Sequence, residues 1–129
     1  MTTWTDDELN QIGSAEELQL ASRRRDGTLH RKVIIWVVRI DDDIYVRCVN
    51  GREGAWFRGV QLQHEGRIWA GGVESDVAFV EVGDSDISEK IDEAYLTKYS
   101  RYPQWVAPMV TPEVRAATLK LVPLTKETN

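Results

Sequence analysis

Side chains able to do chemistry are few and scattered in this chain. Its histidines are His30 and His64, and Cys48 is its one cysteine. Covalent hydrolysis needs a nucleophile held beside a base, and no serine here stands in a G-x-S-x-G turn. Cys48 falls on the core face of an alternating segment, where a free thiol packs and stays inert. Two distant histidines and one cysteine have no metal-ligand spacing, so no metal site is expected. Asp41-Asp42-Asp43 reads as a hairpin tip, and neither a Walker loop nor G-x-G-x-x-G occurs.

Arginine next to glycine is the chemistry in good supply. Binding a small anion needs charge-assisted donors and open backbone N–H groups that converge on one place. Arg23-Arg24-Arg25-Asp26-Gly27 and Asn50-Gly51-Arg52-Glu53-Gly54 each combine the two, and Trp56 follows the second turn as a candidate aromatic wall. The other reading of the same residues is arginines on a solvated surface and Trp56 in the core. Net charge is -5, yet ten of the 16 basic residues lie between Arg23 and Arg67 against six acids. Local positive charge on an acidic protein suits a small anionic ligand better than nucleic acid.

The elements that must position these residues are signalled locally. Thr5 and Glu8 form a capping box flanked by Trp4 and Leu9, predicting a helix to about Ile12. Glu17–Ser22 alternates with period two, and Asp26-Gly27 marks a turn. Val33–Val38 is a continuous apolar run, read as one strand covered on both faces. In Ile44–Val49 the residues Ile44, Val46 and Cys48 share one face, and Tyr45, Arg47 and Val49 the other. A short helix is expected within Glu53–Leu62. Strands are expected over Arg67–Val73 and Asp76–Val82, with Gly71-Gly72 read as a bulge or bend.

Asp86 and Glu89 are read as capping a second long helix with Ile87, Ile91, Ala94, Tyr95 and Lys98 on one face. Thr111-Pro112 starts a short helix, and Thr118–Val122 is a last strand. The pattern is α+β, mainly β: a small antiparallel β-barrel with flanking helices. The chain is read as a single domain over 1–129, with its core over about 4–123 and a frayed tail over 124–129. A lone cysteine, an acidic start without a signal-peptide pattern, and the absence of any membrane-length apolar run point to a cytoplasmic protein with no membrane partner.

Leu20–Trp36, then Ile44–Arg47 and Gly51–Phe57, resemble the strand, basic turn and glycine-to-tryptophan segment of the deazaflavin-dependent nitroreductases. That family belongs to the FMN-binding split-barrel superfamily, with pyridoxamine 5'-phosphate oxidase. Over Trp4–Pro123 the chain is more similar still to the domain of unknown function 2255 family. Its marks here include Trp4-Thr5, Asp26-Gly27-Thr28, Trp36–Arg39, Tyr45–Arg47, Gly71–Val73 and Ala94-Tyr95 with Lys98-Tyr99. The resemblance implies a small antiparallel split β-barrel, an FMN- or deazaflavin-binding oxidoreductase and a homodimer with the cofactor at the subunit interface. It implies that Arg24, Arg25 and Arg31 contact the cofactor phosphate and that Gly51, Arg52 and Trp56 continue the site. Arg58-Gly59 stands where that family has a polar residue after its tryptophan-aromatic pair. The alternative is a dimeric module without a cofactor that binds another small anion or a protein. His30 and Tyr45 are the only candidate proton-transfer groups.

Overall fold

The computed structural model describes residues 3–124. Helix α1 spans Asp6–Ser14, and its capping box forms as expected, with Glu8 N–H donating to Thr5 and Thr5 N–H donating to Glu8. Seven strands follow: β1 Leu18–Ser22, β2 Val33–Ile35, β3 Val37–Ile40, β4 Asp43–Arg47, β5 Glu65–Ala70, β6 Val73–Glu81 and β7 Thr118–Pro123. Helix α2, Ala55–Gln63, precedes β5. Helices α3 Ser85–Lys98, α4 Pro103–Val106 and α5 Pro112–Arg115 lie between β6 and β7.

All pairings are antiparallel, in the order β2-β1-β5-β6-β7-β4-β3. The two edge strands, β2 and β3, are consecutive in the chain and separated only by Trp36. The sheet therefore curls until its edges meet at that residue, giving the nearly closed barrel with flanking helices that the strand pattern predicts.

The Val33–Val38 run departs from expectation. It is two edge strands that bend at Trp36, not one strand covered on both faces, and Ile34 is 61% exposed. Each half pairs on one side only, β2 with β1 and β3 with β4. Gly71-Gly72 likewise is not a bulge. With φ of 56° and 87° it makes the two-residue turn of the β5–β6 hairpin, closed by Ala70 opposite Val73. Helix α3 begins earlier than expected, because the Asp84 carboxylate accepts the Asp86 N–H at 2.8 Å and is the cap. The cap at Thr111 and the proline after it are as expected.

Inside the barrel, Leu18, Leu20, Ile44, Val46, Ile68 and Leu119 are completely buried, as their alternation requires. Trp4, Leu9 and Ile12 at α1 and Phe57 and Val60 of α2 join the same cluster. Trp4 also donates its indole N–H to the Leu121 carbonyl at 3.0 Å. Burying side chains of this size stabilises the fold by roughly 1.5–3 kcal/mol each. The other face of β3 and β4 carries Val38 and Tyr45 under Ile91 and Tyr95 of α3 and Tyr99 just after it. Residue Leu124 is the only part of the expected frayed tail among those described; 125–129 lie outside them. Among the described residues, no helix is long and apolar enough to cross a membrane.

Candidate functional site

After β1 the chain makes a tight basic loop before β2. Arg23 bridges back to Leu29, Arg24 N–H donates to the Thr28 carbonyl at 2.7 Å, and Gly27 takes φ of 92°. Thr28 donates both its N–H (3.0 Å) and its hydroxyl (2.6 Å) to Asp26. Those bonds, the hydroxyl's foremost, hold the Asp26 carboxyl below the usual carboxylate range. The loop is thus rigidly built before any ligand arrives.

The three loop arginines have different environments. Arg23 donates to the Gly27 carbonyl and pairs with Asp76 at 2.7 Å, and Asp76 also pairs with Arg67. Burial pulls the Asp76 carboxyl upward, but Arg67 and Arg23 outweigh it and hold it low. Arg24 folds back onto the Leu29 carbonyl at 3.0 Å. Arg25 is exposed, as is Arg31 farther on, and no hydrogen bond or ion pair engages either guanidinium among the described residues.

Helix α2 packs beside β1 and this loop, and Gly59 permits the approach. A Cβ there would lie 2.8 Å from the Ser22 hydroxyl and 3.9 Å from the His30 ring. Between helix and loop run two linked clefts. One, of about 280 Å³, is lined by Arg24, Arg25, His30 and Gly59. The next, of about 260 Å³, shares His30 and Gly59 and adds Arg31, Val33 and Trp56. A third cavity, of about 340 Å³, shares Val33 and Trp56 and continues past the tryptophan.

Of the six residues singled out from the sequence, this groove gathers Arg24, Arg25, Arg31 and Trp56. It does not gather Gly51 and Arg52. Gly51 is buried with φ of 74° and starts the 3₁₀ turn before α2. Arg52 pairs with Glu81 at 2.6 Å and donates to the Ala116 carbonyl, on the β6–α5 side. Tyr45 also lies elsewhere, under α3, where burial raises its pKa. His30 does line the groove.

A model of the family described as uncharacterized protein conserved in bacteria (DUF2255) matches residues 8–121. The chain belongs to DUF2255. No curated protein matches it. Among solved structures, the DUF2255 chain is similar to the heme storage protein HutZ of Vibrio cholerae. That likeness has a TM-score of 0.65 and 12% identity, over 94% of this chain and 91% of that one. It is similar to a FAD-binding protein of Mesorhizobium loti, with a TM-score of 0.55 and 14% identity over 97% and 92%. An F420 reductase gives 0.52 and 15% over 90% and 92%. At such identities the likeness is one of fold.

One arginine of the DUF2255 chain escaped sequence reasoning. Arg47 is 1% exposed and donates through Nε to Thr118 (2.9 Å), through Nη1 to Asp92 and the Met109 carbonyl (2.9 Å), and through Nη2 to the Ser88 carbonyl (3.1 Å). Asp92 accepts from Arg115 as well. The signal was present in the sequence: Arg47 alternates with Tyr45 on a strand whose other face is core, and Ser88 and Asp92 stand one helical turn apart. Nothing local tied the two segments together.

Proposed function

We propose that the groove between the Arg23–Leu29 loop, β2 and α2 binds a flavin or deazaflavin nucleotide and that the protein is an oxidoreductase. The observation that carries this reading is the pair of unengaged guanidiniums, Arg25 and Arg31, in successive clefts of a groove whose far end is walled by Trp56. Arg25 and Arg31 would take the phosphate through charge-assisted hydrogen bonds, and Arg24 would hold the loop that aims them. The half-buried face of Trp56 and the Val33 side chain offer an apolar wall to the ring. When bound, the cofactor supplies the hydride chemistry, so no side chain of the chain has to act as acid or base. That a FAD-binding protein and an F420 reductase have this fold supports the reading.

The protein is proposed to act as a homodimer. Edge strand β2, with Ile34 61% exposed, is a surface that a second copy would cover. A cytoplasmic location suits its single unpaired thiol. The second reading is a dimeric module that takes a different small anion without redox chemistry. Engagement of Arg52 by Glu81 favours it, since one of the two basic turns has no donor to offer the groove.

Titration with flavin mononucleotide and with a deazaflavin, followed by ligand fluorescence and by absorption into the visible, tests the proposal. Saturable binding is expected for at least one of them. A folded protein that binds neither overturns the oxidoreductase reading in favour of the second.

A further inference from the structure

We propose that the third cavity, beyond Trp56, binds a flat aromatic molecule carrying one anionic group. Its role as a substrate site rests on the cofactor groove on the other side of Trp56; its role as a binding site does not.

Three tryptophans line it: Trp36, Trp56 and Trp105. Trp36 is held in place by parallel stacking on Tyr99, with ring centroids 3.9 Å apart and planes 5° apart, and by Tyr102 at 5.7 Å. Trp56 is braced edge-on by Phe57 at 6.1 Å. These two rings are therefore packed in place, and Trp105 stands exposed at the rim. Around the same mouth stand Val49 and Trp105, exposed by 54% and 69%, two of the six large exposed hydrophobic side chains among the described residues. Exposed apolar side chains are unremarkable when scattered; clustered about one concavity they mark a surface that binds. The volume of about 340 Å³ accommodates a one- or two-ring molecule.

Charge decides what kind. Among the described residues, Arg47 is the only charged one in the lining, and its guanidinium donates to the carbonyl of Met109, another lining residue. Behind the lining, Arg47 shares the single carboxylate of Asp92 with Arg115. The three groups together carry one positive charge; the Arg47 side chain is fully buried and that of Arg115 is half-exposed. Arg47 is buried and shares its carboxylate with a second arginine, so it is only partly neutralised, and at so poorly solvated a guanidinium the residual charge attracts an anion more strongly than it would at the surface. Trp56 lines both this cavity and the neighbouring cleft, so an aromatic ligand here would lie against the residue proposed to wall the cofactor ring.

The test uses the whole protein labelled with ¹⁵N, without added cofactor, and two probes of similar shape, 1-naphthoate and the neutral 1-naphthalenemethanol. The five tryptophan indole N–H signals are the readout. Naphthoate is expected to shift those of Trp36, Trp56 and Trp105, to leave Trp4 and Trp69 in place, and to bind about tenfold more tightly than the alcohol. Trp105→Ala removes an exposed ring and is expected to weaken both probes about tenfold. Arg115→Gln, at a half-exposed side chain, balances the charge behind the lining. It is expected to abolish the preference for the carboxylate while the alcohol binds as before. No saturable shift, or equal shifts at Trp4 and Trp69, overturns the site. A preference unchanged by Arg115→Gln overturns the anionic assignment. Naphthoate binding in a protein that ignores flavin and deazaflavin upholds this cavity and removes the cofactor reading alone.

Discussion

Arg23, Arg24 and Arg25 are consecutive and chemically identical, yet two of them build the loop and one is left for a ligand. Arg23 is committed to Asp76 and Arg24 to the Leu29 carbonyl, so substituting either would disturb the loop as well as any binding. Arg25 and Arg31 separate the two effects. Arg25→Ala with Arg31→Ala is expected to leave stability nearly unchanged and to weaken nucleotide binding by about 3–6 kcal/mol in sum, at about 1.5–3 kcal/mol for each lost charge-assisted bond. Calorimetric titration beside a denaturation curve checks both halves.

Lys98 gives a prediction of a different kind. Burial against β3, where its ammonium donates to the Val37 carbonyl at 2.7 Å, lowers its pKa to about 8 from an ordinary 10.5. The unfolded chain therefore takes up this proton at a higher pH than the folded one. The contribution of Lys98 to stability is fully present above pH 10.5 and is lost as pH falls through 8. Urea denaturation of wild type and Lys98→Met across that window should show the wild type losing ground steadily as the pH is lowered. A constant difference would remove the assigned shift.

At the scale of elements, strands and helices with local punctuation were legible from the chain. The T-x-x-E box of α1, the Thr111-Pro112 start of α5, and the alternation of β1 and β4 each report a geometry closed within a few residues. Glycine pairs were harder, because a bulge and a hairpin turn ask for the same freedom. The two positions of the β5–β6 turn now differ measurably. Gly71 has φ of 56° and a Cβ there would come within 2.1 Å of the Gln11 carbonyl oxygen, whereas Gly72, at 87°, faces open space. Gly72→Ala should cost about 1–2 kcal/mol from the left-handed backbone alone. Gly71→Ala should cost distinctly more, since α1 must move away; thermal melting of the two variants gives the comparison.

The Arg47–Asp92 pair joins four elements: β4, α3, β7 and the segment carrying Met109. Asp92→Ala would strand a buried guanidinium. It is expected to lower stability by about 3–5 kcal/mol, read from the shift in the urea midpoint at unchanged slope.

At the scale of the whole molecule, one residue joins the two ends of the sheet. Trp36 carries the chain from the β2 edge to the β3 edge and is clamped there by Tyr99, whose hydroxyl also accepts the Val37 N–H at 3.0 Å and donates to the Glu16 carbonyl at 2.7 Å. Closure leaves β2 half-covered, and the homodimer proposed above would complete it. Ile34→Lys puts a charge on that edge and is expected to move the protein from dimer to monomer in sedimentation velocity. A wild-type monomer at every concentration would refute the dimer.

The amino-acid order by itself determined most of the elements, the alternation of β1, the inward face of β4, the apolar stripe of α3 and the basic character of the first loop. Each depends on contacts within a turn or a strand, where periodicity and capping speak directly. Only the tertiary structure decided that Val33–Val38 is two edges instead of a spine, because its halves pair with different strands on either side in the chain and an apolar run looks the same in either role. It also decided which arginines remain available. Arg24, Arg25, Arg31 and Trp56 came to one groove while Arg52 turned to Glu81 and Arg47 sank beneath α3. A guanidinium's surroundings are set by whichever carboxylates and carbonyls the fold brings near it, and no local pattern in the chain encodes them.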